Sequence, residues 1–491
     1  MLDMFAQAFS LVASSPSVLL LCLLGTILGI FFGASPGMTS SMGIALILPV
    51  TYGMTIVHGM SILLGIYIGS MSGGLITAIL INIPGTPASV ATTFDGYPLA
   101  RRGEGGRAIR VGTLYSLMGG VFSLLILFFI SPLLARAALR FGPVEYFSVA
   151  FFSVTLIASL SGNSMLKGAI SAALGVMFTT VGMAPVDTVR RYTFGIFELD
   201  AGFKLLPVLV GVFAVMEVIK AAEDPMRADM KPMDYKAKGI GVTWKEFRQQ
   251  LRNFFVSSCI GTGIGILPGL GAAISNLIAY SVSRNSSRYP EKYGTGIIDG
   301  IVASESANNA VTGGALVPLL TMGIPGDAGT AMLLAAFMLH GITPGPLLFN
   351  THGHVIYAMF VILIIANILM FLIQIYGLPV FLKLLRIPRN ILFPIIMVLA
   401  SVGAFAMNNR IFDIWSIFIF ALVGYGLSKF DFPAPPLVLG FVLGPLLELN
   451  LRRGLMATYG SFGAFFTRPI SGTFLALTGV FILYNVLKRK V

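Results

Sequence analysis

Glu305, Asn308, Asn309 and Thr312 stand three and four residues apart in an otherwise apolar stretch, so they can share one helix face. Asp327 follows directly after Pro325-Gly326. Burying such groups is costly without partners, and a carboxylate inside a membrane segment is a functional hypothesis by default. Carboxylate, amide and hydroxyl oxygens are hard ligands, and Glu305, Asn308, Asn309, Thr312 and Asp327 are the expected coupling-cation set. The structural rivals are an interhelical polar clasp for Glu305 and a helix N-cap for Asp327.

A second set of polar residues surrounds four Pro-Gly pairs. Ser35, Thr39 and Ser40 flank Pro36-Gly37, and Asn82 and Thr86 flank Pro84-Gly85. Gly271 and Asn276 follow Pro268-Gly269, and the fourth pair is Pro325-Gly326. Pro and Gly break a helix and free backbone N–H and C=O groups, which hydrocarbon cannot satisfy. Paired breaks at matching places in two halves mark the expected binding site of a secondary transporter. No Lys or Arg lies next to any break in sequence. An anionic carboxylate would therefore be held by N–H groups at half-helix N-termini together with Ser, Thr and Asn. Anion site and cation site together suggest cation-coupled import, with sodium preferred and protons, through Glu305 or Asp327, as the alternative. No other cofactor is expected.

The elements that must carry these residues are membrane helices. The chain has 491 residues, 56% hydrophobic and only 11% charged, against about 25% charged in soluble domains. Apolar runs such as Met60–Ile83, Val111–Ile130 and Val355–Tyr376 recur from end to end and suggest about a dozen passes. The net charge of +12 lies in loops between these runs, as in membrane proteins, so nucleic-acid binding is not expected. The N-terminus lacks a basic n-region, so no cleaved signal peptide is expected. Cys22 and Cys259 both lie in apolar segments and read as packed side chains. Gly261–Gly271 fails the dinucleotide and P-loop patterns, and no nucleophile–base or metal pattern points to an enzyme.

Gly59–Gly85 lies on Gly300–Gly326 without a gap, pairing Gly73 with Gly314, Pro84 with Pro325 and Thr86 with Asp327. Basic residues follow one break of each half but not its counterpart: Arg101, Arg102, Arg107 and Arg110 have no match in His340–His354, nor Arg284, Arg288 and Lys292 in Val50–His58. The positive-inside rule then makes the halves inverted. The expected organisation is a first membrane repeat over 1–220, a basic cytoplasmic linker with an interfacial helix over 221–253, and a second repeat with a C-terminal helix over 254–491. In the linker Trp244, Phe247, Leu251 and Phe254 share one helical face, as in a helix lying on the cytoplasmic leaflet. The expected fold class is an all-α polytopic membrane protein of about 12 segments, in two inverted-topology repeats with Pro-Gly-broken re-entrant hairpins. Fourth-residue glycines, at 25, 29, 33 and 37 and at 261, 265 and 269, read mainly as close helix packing.

Several of these stretches resemble one family. Leu267-Pro-Gly-Leu-Gly271, Ile83-Pro-Gly-Thr-Pro87, Phe94-Asp-Gly-Tyr-Pro-Leu-Ala-Arg-Arg-Gly103 and Met322-Gly-Ile-Pro-Gly-Asp327 resemble the large membrane subunit of tripartite tricarboxylate transporters, the TctA family. The resemblance runs over nearly the whole chain. It implies a small TctB-like membrane subunit and a periplasmic, TctC-like solute-binding protein as partners. It further implies import of citrate or other carboxylates across a bacterial inner membrane, driven by an ion gradient without ATP. The break-bearing part would move, elevator-like, against helices around Val144–Val181 and Asn390–Leu447. The rival from another class is a channel-like or structural membrane protein whose glycines serve packing only.

Overall fold

The computed structural model describes residues 2–160, 164–223, 241–384 and 389–488. Most of the expected linker, residues 224–240, and the basic Arg489 and Lys490 lie outside the described residues.

The chain is built from helices whose ends are written in local residue chemistry. Pro16 opens Pro16–Ala34 at its first turn, where a missing N–H costs nothing. That helix stops at Ser35, which is extended ahead of Pro36. Gly37 then turns with φ +86°, and Thr39 caps Ser40–Ile47 by accepting from the Met42 N–H. The same sequence of events recurs far along the chain. Trp244–Ile266 stops at extended Leu267, Gly269 turns with φ +81°, and Gly271–Asn285 begins.

The second break of each half matches as closely. Ile56–Ile81 ends on left-handed Asn82, φ 56°, and Ile298–Met322 on left-handed Gly323, φ 71°. Asp327 then heads a full capping box over Ala328–Leu339, and ahead of Pro87–Ser89 the Thr86 N–H donates to the Ser89 hydroxyl, the matching half of such a box. Every residue from Gly59 to Leu80 and from Gly300 to Thr321 is buried. These two helices form the centre of the molecule and tolerate polar side chains because protein surrounds them.

The fourth-residue glycines set how closely the helices approach. A Cβ on Gly25, Gly29 or Gly33 would fall 2.1–2.5 Å from the carbonyl oxygens of Ile62, Ile66 and Ser70. On Gly261 and Gly265 it would fall 2.3 and 2.8 Å from those of Ala307 and Val311. Only glycine permits this backbone contact, the small-residue packing of membrane helices.

Around this centre pack Gly105–Ala138 and Gly353–Leu384, with Pro143–Leu160, Met165–Thr179, Ile411–Lys429 and Ala434–Ala457 further out. Among the described residues six helices are long and apolar enough to cross a membrane, and other apolar helices run to only 10–17 residues. The breaks account for part of the shortfall from a dozen, because they divide apolar runs into half-helices. One departure from all-α structure is an antiparallel pair of two-residue strands, Gly182–Met183 on Arg190–Arg191.

The linker helix also differs from expectation. Trp244 begins a helix that runs unbroken to Ile266, and while Trp244 itself stays exposed, the rest of the aromatic face packs on protein. Phe254 packs on Tyr115 and Phe122, and Phe247 stacks on Tyr115. Arg107 bridges Glu246 and the Gly241 carbonyl, which docks the helix start against Gly105–Ala138.

Candidate functional site

All four breaks open on one cavity of about 610 Å³, within the usual range of small-molecule sites. Thr39 and Ser40 line it from the first break, Thr86 and Pro87 from the second, Gly269 and Gly271 from the third, and Asp327 and Ala328 from the fourth. Each of these is where a helix or helical turn begins, so four helix beginnings border the same space. The partial positive charge of a helix N-terminus favours an anion there.

Asp327 shows how the wall is held. Its Oδ1 accepts from the Thr330 N–H at 2.7 Å and from the Thr330 hydroxyl at 2.8 Å. Its Oδ2 accepts from the Tyr67 hydroxyl at 3.0 Å, tying the fourth break to the central helix of the first half. The third and fourth breaks are joined directly, since the Gly269 N–H donates to the Gly326 carbonyl at 2.7 Å. Glycine at 85 and 326 is enforced by close approach: a Cβ would meet the Gly33 carbonyl oxygen at 2.1 Å and that of Gly265 at 2.6 Å.

Other predicted site residues shape the wall without lining it. Ser35 donates to the Phe31 carbonyl of its own helix, and Asn82 serves as the left-handed cap. Gly37 supplies its turn. Pro36, Pro84, Pro268 and Pro325 adjoin the turns, and Asn276 is buried against the Ala88 carbonyl.

The expected cation set divides. Glu305 is fully buried and accepts from Thr92 at 2.5 Å and Ser116 at 3.0 Å. Asn309 donates to the Glu305 backbone carbonyl at 3.2 Å, and Thr312 to that of Asn309 at 2.7 Å, along one helix face. Asn308 donates to the Met71 carbonyl at 2.9 Å, and its side chain also lies beside Glu305. Asp327 shares no hydrogen-bond partner with Glu305 among the described residues. No group of three or more His, Cys, Asp or Glu that could hold a metal ion occurs among those residues.

Charged residues distant in sequence complete the cavity. Lys167 and Lys220 line it with Glu217 and Asp431. Lys167 donates to the Phe430 carbonyl at 2.6 Å and stands 3.8 Å from the exposed Asp431 carboxylate, a pairing too loose and wet to hold much energy. Lys220 pairs with Glu217 at 3.1 Å. Sequence adjacency to the breaks missed both lysines. One signal was available: Lys167 sits in the first turn of an apolar helix, where a cation opposes the helix dipole and calls for a reason.

Asp95, in the Phe94–Gly103 stretch, serves as a staple. It accepts from the backbone N–H groups of Gly294, Gly296 and Ile297 at 2.8–3.0 Å and from the Tyr280 hydroxyl at 2.8 Å. It thus joins the hairpin of one half to the loop that enters the central helix of the other.

Broken helices around a cavity lined by helix beginnings, inside a helical bundle, are the build of a membrane transport protein. Residues 19–439 match the tripartite tricarboxylate transporter TctA family. The chain is 35% identical over 465 residues to an uncharacterized 52.8 kDa protein in the TAR-I ttuC' 3' region of Agrobacterium vitis, covering 95% of this chain and 92% of that protein. An uncharacterized protein in the TAR-II ttuC' 3' region of the same organism is 37% identical over 227 residues, 46% of this chain and 94% of that protein. No solved structure matches. The chain belongs to the tripartite tricarboxylate transporter TctA family and is a transporter subunit rather than an enzyme.

Proposed function

We propose that the chain is the large permease subunit of a binding-protein-dependent secondary transporter. It imports tricarboxylates or related organic carboxylates across a bacterial inner membrane, driven by a sodium or proton gradient. A small membrane subunit and a periplasmic solute-binding protein work with it. The observation that carries this reading is the convergence of four helix beginnings, Lys167 and Lys220 on one cavity. One carboxylate of the substrate meets backbone N–H groups at the breaks, and a second meets the two lysines.

The two halves are read as inverted-topology repeats, on the gap-free match and the paired caps at Asn82 and Gly323. The cavity is lined by break-bearing residues together with Ser164, Lys167, Asp431 and Leu439 from the part that carries no breaks. This division supports an elevator-like motion of the first part against the second. Cross-links fixing the two parts without slowing uptake would refute that motion.

The test is uptake into proteoliposomes holding this chain with its small subunit and binding protein, under imposed sodium or proton gradients. Carboxylate accumulation that follows one gradient and needs the binding protein is expected. Uptake that only equilibrates substrate would favour a channel-like protein, in which the glycine–carbonyl contacts serve packing alone.

A further inference from the structure

Asn276 and Asn308 are both fully buried. Each amide N–H is committed to a backbone carbonyl, Asn276 to that of Ala88 and Asn308 to that of Met71. Carbonyls only accept, so the amide orientations are fixed and each Oδ1 faces away from its partner as an acceptor. Among the described residues neither Oδ1 has a hydrogen-bond partner, and nor does the buried Thr86 Oγ1.

The three oxygens belong to one neighbourhood. Thr86 lies two residues from Ala88. A Cβ on Gly74, one turn beyond Met71, would stand 2.9 Å from Thr86 Oγ1. Ser275 donates to the Ala307 carbonyl at 3.4 Å, so the helices bearing Asn276 and Asn308 touch at the preceding residues. Met71, Thr86 and Ala88 all line the cavity.

A substrate carboxylate cannot complement amide oxygens, because it too only accepts. The complement must bring positive charge or a proton. Amide and hydroxyl oxygens are hard ligands, as are the freed backbone carbonyls that coordinate sodium beside broken membrane helices. Divalent sites of this type recruit carboxylates, and this set has none. Glu305 is not the stronger candidate, since both of its oxygens already accept from protein hydroxyls.

We propose that Thr86 Oγ1, Asn276 Oδ1 and Asn308 Oδ1 are ligands of a monovalent alkali cation, sodium, in the wall of the cavity. Its role in transport rests on the reading of the chain as a cation-coupled importer; its binding does not. The bound cation adds positive charge next to the space that receives the anion, so each favours the other.

The experiment measures thermal melting of the purified full chain without carboxylate, titrating sodium chloride against choline chloride at constant ionic strength. Wild type is expected to gain stability saturably with sodium. Thr86→Val, Asn276→Ala and Asn308→Ala should each raise the half-saturating sodium concentration at least tenfold, while Thr86→Ser, which keeps the hydroxyl, should not. If an asparagine variant fails to fold, the Thr86 pair carries the test. The proposal falls if wild type shows no sodium-specific gain, or if Thr86→Val keeps the wild-type midpoint; water would then be the partner. A sodium-dependent gain in a protein whose uptake ignores the sodium gradient would sink the coupling reading and leave the site. Sodium-driven uptake unaltered in Thr86→Val would do the reverse.

Discussion

Replacing Asp327 by alanine removes every bond its carboxylate accepts. Loss of the N-cap to the Thr330 N–H costs about 1 kcal/mol. The Tyr67 hydroxyl, fully buried and donating to Oδ2, is left stranded at about 1–3 kcal/mol. The sum is about 2–4 kcal/mol, concentrated where the fourth half-helix faces the cavity. Asp327→Asn has the same shape. Its amide oxygen still accepts from Thr330, its NH₂ can donate to the Tyr67 hydroxyl, and the main loss is the charge–dipole contribution of about 0.3–1 kcal/mol. Melting of the purified chain and initial uptake rates in proteoliposomes check this pair of variants. Asp327→Ala should melt well below wild type and transport poorly, and Asp327→Asn should stay near wild type in both. If Asp327→Asn melts normally yet abolishes uptake, the charge itself is needed and the capping argument is wrong.

Gly85→Ala and Gly37→Ala should part company in folded yield on size-exclusion chromatography. The first drives a Cβ to 2.1 Å from a backbone oxygen and should not accumulate, whereas the second meets nothing within 4 Å and costs about 1–2 kcal/mol of left-handed strain. Lys167→Gln should raise the half-saturating substrate concentration about fivefold, as expected for one partly exposed charge pair, with melting unchanged. Asp95→Ala leaves three backbone N–H groups and the Tyr280 hydroxyl without their acceptor, so the loop around Gly294 should be cleaved faster in limited proteolysis. Glu246, in the basic segment ahead of the apolar run, is held below the usual carboxylate range by the Thr243 N–H, then by the Thr243 hydroxyl and Arg107. Its stabilisation is present above the ordinary Glu value and lost as pH falls through the lowered one. Melting of wild type should therefore drop between about pH 6 and about pH 3 more steeply than that of Glu246→Gln.

The breaks were legible in the sequence because Pro and left-handed glycine have a local meaning. Gly37 and Gly269 turn the chain where the Pro-Gly pairs stand. The pairing of Thr86 with Asp327 likewise appears as two N-cap positions, each with its N–H donating to the hydroxyl three residues on. What could not be read was the rest of the wall. Lys167, Lys220 and Asp431 reach the cavity through tertiary packing, and nothing near the breaks announces them. The aromatic face that includes Phe247 and Phe254 was legible as amphipathic, but amphipathicity does not distinguish a bilayer from the neighbouring helix on which these two pack. Three- and four-residue spacing rightly grouped Glu305 with Asn308, but not their further partners, the Met71 carbonyl for Asn308 and Thr92 and Ser116 for Glu305.

The burial of Ile298–Met322 has a consequence for how the protein is made. That helix carries Glu305, Asn308 and Asn309, and it is not among the six segments apolar enough to cross a membrane on composition. A charged side chain at mid-helix costs roughly 3 kcal/mol on entering lipid alone. Its surrounding helices Gly105–Ala138 and Trp244–Ile266, with the hydroxyls of Thr92 and Ser116, are all synthesised before it. The order of the chain therefore lets a polar segment leave the translocon into a prepared protein cleft rather than into bare lipid. A second half made without the first should stall at that step.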